Sequence, residues 1–198
     1  MRRLHRPACP NPQALRTNYK HPENKHALQL ASHGKCMYCE SQVSHVYFGD
    51  VEHIRPKADG KHPELEFEWS NLGYCCARCN NAKSDHFDDD CPLLDPYSED
   101  PDTHLLAFGS SVRHKAGSER GAITISTVDS NRPKLIERRA IRLVELQNAI
   151  DACYRTSSTA VRALLLAALD QESEADKEFS MFAAALIAAN RQRPAGAV

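Results

Sequence analysis

Apolar and polar residues alternate with different periods along this chain, and the periods predict its elements. Ala27, Leu28, Leu30 and Ala31 give residues 22–32 a helical stripe, with Pro22 suited to the first turn and Gly34 to the exit. Residues 43–48 and 51–55 are short and β-branched, which predicts a hairpin across Gly49-Asp50, closed by Pro56. Residues 57–68 read as a polar loop. Trp69-Ser70-Asn71-Leu72 then leads into the run CCARC and a short helix over 80–84. Residues 88–121, rich in Asp, Pro, Ser and Gly, read mostly as loop, and the alternation in AITISTV predicts a strand over 122–128. From Arg132 the period becomes helical. Leu135, Leu143, Leu146, Ala149, Ile150 and Cys153 lie near one face, with Arg138, Arg139 and Arg142 elsewhere. Two further helices fit residues 159–169 and 175–189, the second opened by a Ser173-x-x-Asp176 capping box.

Composition adds limits. With 198 residues, 41% hydrophobic and 26% charged, the chain suits one well-packed unit and excludes a disordered or fibrous class. The longest apolar stretch near the end, residues 181–189, is about half of a bilayer span, so no membrane partner is expected. The basic start lacks the apolar run of a secretory signal, which leaves a cytoplasmic protein as the expectation.

Charge is distributed unevenly under a net value of −1. Residues 1–35 hold seven basic residues and one acid, whereas residues 36–95 hold five and twelve. A basic arm suits phosphate, and it equally suits a solubilising terminus. The acidic middle would repel a polyanion unless cations occupy it, which directs attention to metal.

Four of the eight cysteines form two CxxC pairs, Cys36/Cys39 and Cys76/Cys79. Two thiolates on one tight turn reach a single Zn²⁺, and two such turns close a tetrahedron. That arrangement has no open position, so such a zinc builds structure and does no chemistry; the alternative is four reduced core thiols without metal. Cys9, Cys75, Cys91 and Cys153 have no partner at ligand spacing and read as small buried hydrophobes.

Between the knuckles lie Asp50-Val51-Glu52-His53-Ile54-Arg55-Pro56-Lys57 and Asn71-Leu72, and Asn80-Asn81-Ala82-Lys83 follows Cys79. This order, CxxC, then Glu-His-Ile-x-Pro, then Asn-Leu, then CxxC-Asn-x-x-Lys, resembles the HNH endonuclease family over roughly residues 35–85. The resemblance implies an α+β fold, a small ββα-metal core with two zinc knuckles, embedded in a mainly α-helical protein. It divides the chain into a basic arm and helix (1–34), the nuclease core (35–95), a loop-rich segment with a short strand (96–130) and C-terminal helices (131–198).

The same resemblance implies roles. His53 would be the general base for an attacking water, and Asn71 would orient it. Glu52 and Asn80 would hold one Mg²⁺ or Mn²⁺, with Asp50 as a further ligand and Asn81 as the alternative in a neighbouring register. Lys83, Arg55 and Lys57 would face phosphate. The chemistry agrees independently: phosphodiester hydrolysis needs an activated water and relief of phosphate charge, and hard oxygen donors suit such a cation.

The runs CMYCES, VEHIRPK, CNNAKSD, LLDPYSEDP and NRPKLIERR are similar to one branch of that family, the HNH subunits of Septu-type and some retron-associated anti-phage systems. That branch implies DNA as substrate, with RNA open, and an ATPase partner, for which the helices after Arg132 are either a docking surface or part of the core. A homodimer would supply the two sites of a double-strand break. The competing readings are a non-catalytic zinc-stabilised nucleic-acid-binding module and an assembly subunit of an ATPase complex.

Overall fold

The computed structural model of the chain describes residues 1–43 and 49–191. It forms two compact units, Met1–Leu106 with Arg113–Ser130, and Ala107–Val112 with Asn131–Val198.

Side-chain to backbone bonds order the start of the first unit. Asn11 caps the one-turn helix α1 (Pro12–Leu15), its Oδ1 accepting from Ala14 N at 3.0 Å. Helix α2 (Pro22–Ala31) carries Pro in its first turn, as expected, and ends through Gly34 at φ 72°. Asn24 of α2 is fully buried and clasps the preceding segment: Oδ1 accepts from Asn11 N at 2.9 Å and Nδ2 donates to Asn11 O at 3.0 Å. Arg6 is an internal tie as well. Its Nη1 donates to Trp69 O at 2.8 Å and Leu72 O at 2.6 Å, and its guanidinium lies 4.1 Å from the centre of the Tyr97 ring. Here the basic N-terminal segment is an integral part of the unit.

At the centre, β1 (Asp50–His53) runs antiparallel to β2 (Leu72–Cys75), with Asp50 opposite Cys75, Glu52 opposite Gly73 and His53 opposite Leu72. Helix α3 (Ala77–Lys83) follows β2 directly and packs on β1, which completes a ββα unit. The hairpin pattern predicts residues 43–48 as the partner of β1; most of that run, residues 44–48, lies outside the described residues, and the partner seen is β2. All four residues of β2 are buried, so the strand carries no alternation by which to be recognised. Gly73 is required by a close approach: a Cβ there would stand 2.2 Å from Met37 Sδ. Through that space the first knuckle docks, Met37 N donating to Tyr74 O at 3.0 Å.

Three expectations are corrected. Residues 119–127 form helix α4 (Glu119–Thr127), not a strand over 122–128. Ser118 caps it, its Oγ accepting from Gly121 N at 3.1 Å, and the buried positions Gly121, Thr124 and Val128 have helical spacing. The presumed loop before it contains a two-stranded sheet, β3 (Leu105–Phe108) with β4 (Ser111–His114). In the second unit, the helix predicted over 175–189 begins only at Ser180. The Ser173 hydroxyl donates back to Asp170 O at 2.7 Å at the end of the preceding helix, and the N-cap of the next helix is Phe179.

The second unit is built from α5 (Pro133–Arg155), α6 (Thr159–Gln171) and α7 (Ser180–Asn190). Leu146, Ile150, Cys153, Tyr154, Leu169, Ala183 and Ile187 form its core. Arg139, read from sequence as lying off the apolar face, is 1% exposed, its guanidinium 4.4 Å from the centre of the Phe182 ring. Among the described residues no helix is long and apolar enough to cross a membrane.

Candidate active site and metal centre

The two knuckles bring Cys36, Cys39, Cys76 and Cys79 together, with all four sulfurs within 4.8 Å of one another. A tetrahedral Zn²⁺ with bonds of about 2.3 Å spaces its sulfurs about 3.8 Å apart, and Cys39 Sγ is 3.9 Å from Cys76 Sγ. The donor set and its spacing fit that ion. Burial pushes the Cys36 thiol well above its ordinary value, while hydrogen bonds from the neighbouring cysteines pull Cys39 well below its own. Cys76 has a second duty: it is the N-cap of α3, its Sγ accepting from Cys79 N at 3.5 Å. Of the remaining cysteines, Cys75 and Cys153 are buried as expected, while Cys9 and Cys91 are only half-buried.

His53 ends β1 and is 8% exposed. Its Nε2 lies 2.9 Å from Glu66 O. A carbonyl only accepts, so Nε2 carries the proton and the neutral ring presents its lone pair at Nδ1. Burial pushes this imidazole below its ordinary value, the Glu66 carbonyl opposes, and the charges of Lys57 and Lys83 push it further down. A ring that stays neutral near pH 7, with one nitrogen tethered, can receive a proton at the other.

Asn71 fixes the loop around this histidine. Its Oδ1 accepts from Arg55 N at 2.8 Å, and its Nδ2 donates to Arg55 O at 2.9 Å and Leu65 O at 3.3 Å. It therefore joins the exit of β1 to the residue preceding Glu66, the residue whose carbonyl holds His53.

Glu52 is 3% exposed and Lys83 is 1% exposed. Lys83 Nζ stands 2.7 Å from Glu52 Oε1 and donates to His53 O at 2.9 Å. The structure thus places Lys83 inside, against the carboxylate, where the sequence suggests a residue facing phosphate. Burial pushes the Glu52 carboxyl above its ordinary range, and the Lys83 ammonium opposes this. Asp50 shares the Glu52 face of β1 by alternation. Asn80 lies one turn before Lys83 on the same side of α3, whereas Asn81 is exposed. These oxygen donors fit a hard divalent cation.

Arg55 is exposed, 3.4 Å from Asp89 and stacked toward Phe87. Lys57 is ion-paired with Glu66, and its Nζ lies 4.4 Å from the centre of the Tyr19 ring. The Arg55–Asp89 pair is solvent-exposed, and such pairs contribute little to stability. Tyr19 and Glu66 are absent from the sequence-based site. Glu66 acts through its backbone, which no side-chain pattern shows, and Tyr19 is 34 positions from His53. Trp69 donates from Nε1 to Pro7 O at 2.8 Å. His45, a weaker candidate near the site, lies outside the described residues.

A ββα unit with paired cysteine knuckles and a histidine at the end of its first strand defines a class, and the family comparison agrees: residues 36–86 match the HNH endonuclease model. The chain carries an HNH endonuclease domain. Beyond the domain it is similar to the Septu protein PtuB of Bacillus thuringiensis, 32% identical over 111 residues, which cover 56% of this chain and 42% of that protein. It is also similar to the Septu protein PtuB of Bacillus mycoides strain KBAB4, 30% identical over 151 residues, covering 62% and 51%. The chain thus spans about half the length of the curated relatives it matches, or less.

Proposed function

We propose that this chain is a metal-dependent endonuclease that hydrolyses DNA phosphodiester bonds in anti-phage defence, with His53 as general base. The observation that carries this reading is the tether from His53 Nε2 to Glu66 O, because it fixes the tautomer and leaves Nδ1 as the proton acceptor. In this reading Glu52 and Asn80, with Asp50 beside them, hold one Mg²⁺ or Mn²⁺, which when bound supplies positive charge to the phosphate and the leaving oxygen. His53 takes the proton of the attacking water at Nδ1. Asn71 holds the loop in register, and Arg55 and Lys57 meet the phosphate backbone. Lys83 balances Glu52 before the cation arrives. The four knuckle cysteines hold a structural Zn²⁺, which requires reduced thiols and so a cytoplasmic setting.

One such site makes one cut, so a double-strand break takes a homodimer or two events. The similarity to Septu proteins supports the defence role, and in that role we assign the chain an ATPase partner.

The test is plasmid cleavage in Mg²⁺ or Mn²⁺ by wild type and His53→Ala, each with and without a partner ATPase. Cleavage by wild type alone is expected. Cleavage by both removes His53 as the base, and DNA binding without cleavage by either supports a binding module instead.

A further inference from the structure

The catalytic histidine is touched by a residue from outside the matched domain. Tyr19 precedes α2, and its ring centre lies 4.5 Å from that of His53 at an interplanar angle of 66°, an edge-to-face contact. The same ring carries the Lys57 ammonium 4.4 Å from its centre, and Lys57 is ion-paired with the Glu66 side chain. Glu66 in turn supplies the carbonyl that holds His53 Nε2. The contacts therefore close a ring: Tyr19 to His53, His53 to the Glu66 backbone, the Glu66 side chain to Lys57, and Lys57 back to Tyr19. The segment that presents Tyr19 is fixed on both sides, by the Asn24 clasp on Asn11 and by Pro22 at the start of α2.

We propose that Tyr19 is a positioning residue of the hydrolytic site, packing against the His53 imidazole and seating Lys57 beside it. Glu66 O fixes one atom of the imidazole but leaves rotation about that hydrogen bond. An aromatic edge against the ring removes that freedom and keeps water from competing for the carbonyl. The inference rests on the reading of His53 as base, and the residue acts through its ring and not its hydroxyl.

The test compares wild type, Tyr19→Phe, Tyr19→Ala and His53→Ala, all zinc-loaded and of full length. In single-turnover cleavage of plasmid DNA with Mn²⁺, Tyr19→Ala is expected to lose 10-fold or more in rate at saturating enzyme. Its DNA affinity should fall by less than the rate does, and Tyr19→Phe should restore the rate. In ¹⁵N-labelled protein without DNA, the His53 Nε2 proton should be observable in wild type and Tyr19→Phe and lost to solvent exchange in Tyr19→Ala. A Tyr19→Ala protein with unchanged rate, or one weakened only in DNA affinity, overturns the proposal. So does retention of the Nε2 proton in that variant. Equal cleavage by His53→Ala strikes the general-base reading, while the proton signal still decides whether Tyr19 holds the ring.

Discussion

Lys83 and Glu52 form an ion pair of 2.7 Å between β1 and α3, with both side chains almost wholly withdrawn from water. Removing one partner of a buried pair strands the other charge, at a cost of about 3–5 kcal/mol. Lys83→Met should therefore lower stability in urea unfolding by that order. The double variant Glu52→Gln/Lys83→Met should recover most of the loss, since neither charge is then left alone. A double variant as unstable as Lys83→Met would show that Lys83 stabilises by something other than this pair.

Asn71→Ala removes three hydrogen bonds to backbone groups of Arg55 and Leu65. Water can reach part of this loop, so the expected loss is about 1–3 kcal/mol. The cleavage rate should fall more than stability suggests, by 10-fold or more, because the clip also places the Glu66 carbonyl. Comparing chemical denaturation with single-turnover rates at saturating enzyme separates the two effects.

Zinc removal should abolish the fold of the core and not merely weaken it. Structural zinc sites contribute about 10–16 kcal/mol, and a domain has about 5–15 kcal/mol in total. Treatment with a strong chelator, or Cys39→Ser, should collapse amide dispersion for residues 50–83 and release about one zinc per chain. A chelated protein with an unchanged spectrum would exclude a structural ion there.

The lowered His53 value has a direct kinetic sign. As the proposed base, His53 works only when neutral, so the acid limb of the cleavage rate should have its midpoint below 6.5, the ordinary imidazole value. A bound cation repels the imidazolium and shifts the limb the same way. A midpoint above 6.5 in the pH–rate profile would contradict the assignment.

Alkaline stability should report Tyr97. Burial pushes its hydroxyl from 10.0 up to about 12. Above pH 10 the unfolded chain releases that proton and the folded one retains it. The contribution is thus fully present below pH 10 and is lost as pH rises toward 12, at most about 1.4 kcal/mol per pH unit. Tyr97→Phe should lose less stability than wild type between pH 9.5 and 11.5, measured by urea midpoints.

The cysteine cluster and the domain around it were legible in the sequence because their motifs are local. Two CxxC turns and a Glu-His pair ahead of Pro56 announce themselves, α2 follows from Pro22, and α5 and α6 follow from their apolar stripes. What was not legible depends on tertiary surroundings. The strand β2 is buried throughout and so loses its period, and AITISTV alternates by accident while Ser118 starts a helix. Lys83 reads as a surface cation until its carboxylate partner, 31 positions away, is seen beneath it. Tyr19 has no motif to belong to, and only packing brings it to His53.

Cys76 is at once a knuckle ligand and the cap from which α3 begins, and α3 carries Asn80 and Lys83. The helix that finishes the site thus starts from a sulfur that the zinc must claim. With the proposed zinc, assembly would have an order: α3, and Asn80 with it, would take its fixed place only once the ion is bound. For the proposed nuclease, that order would work as a maturation step, with the chain harmless until zinc is loaded.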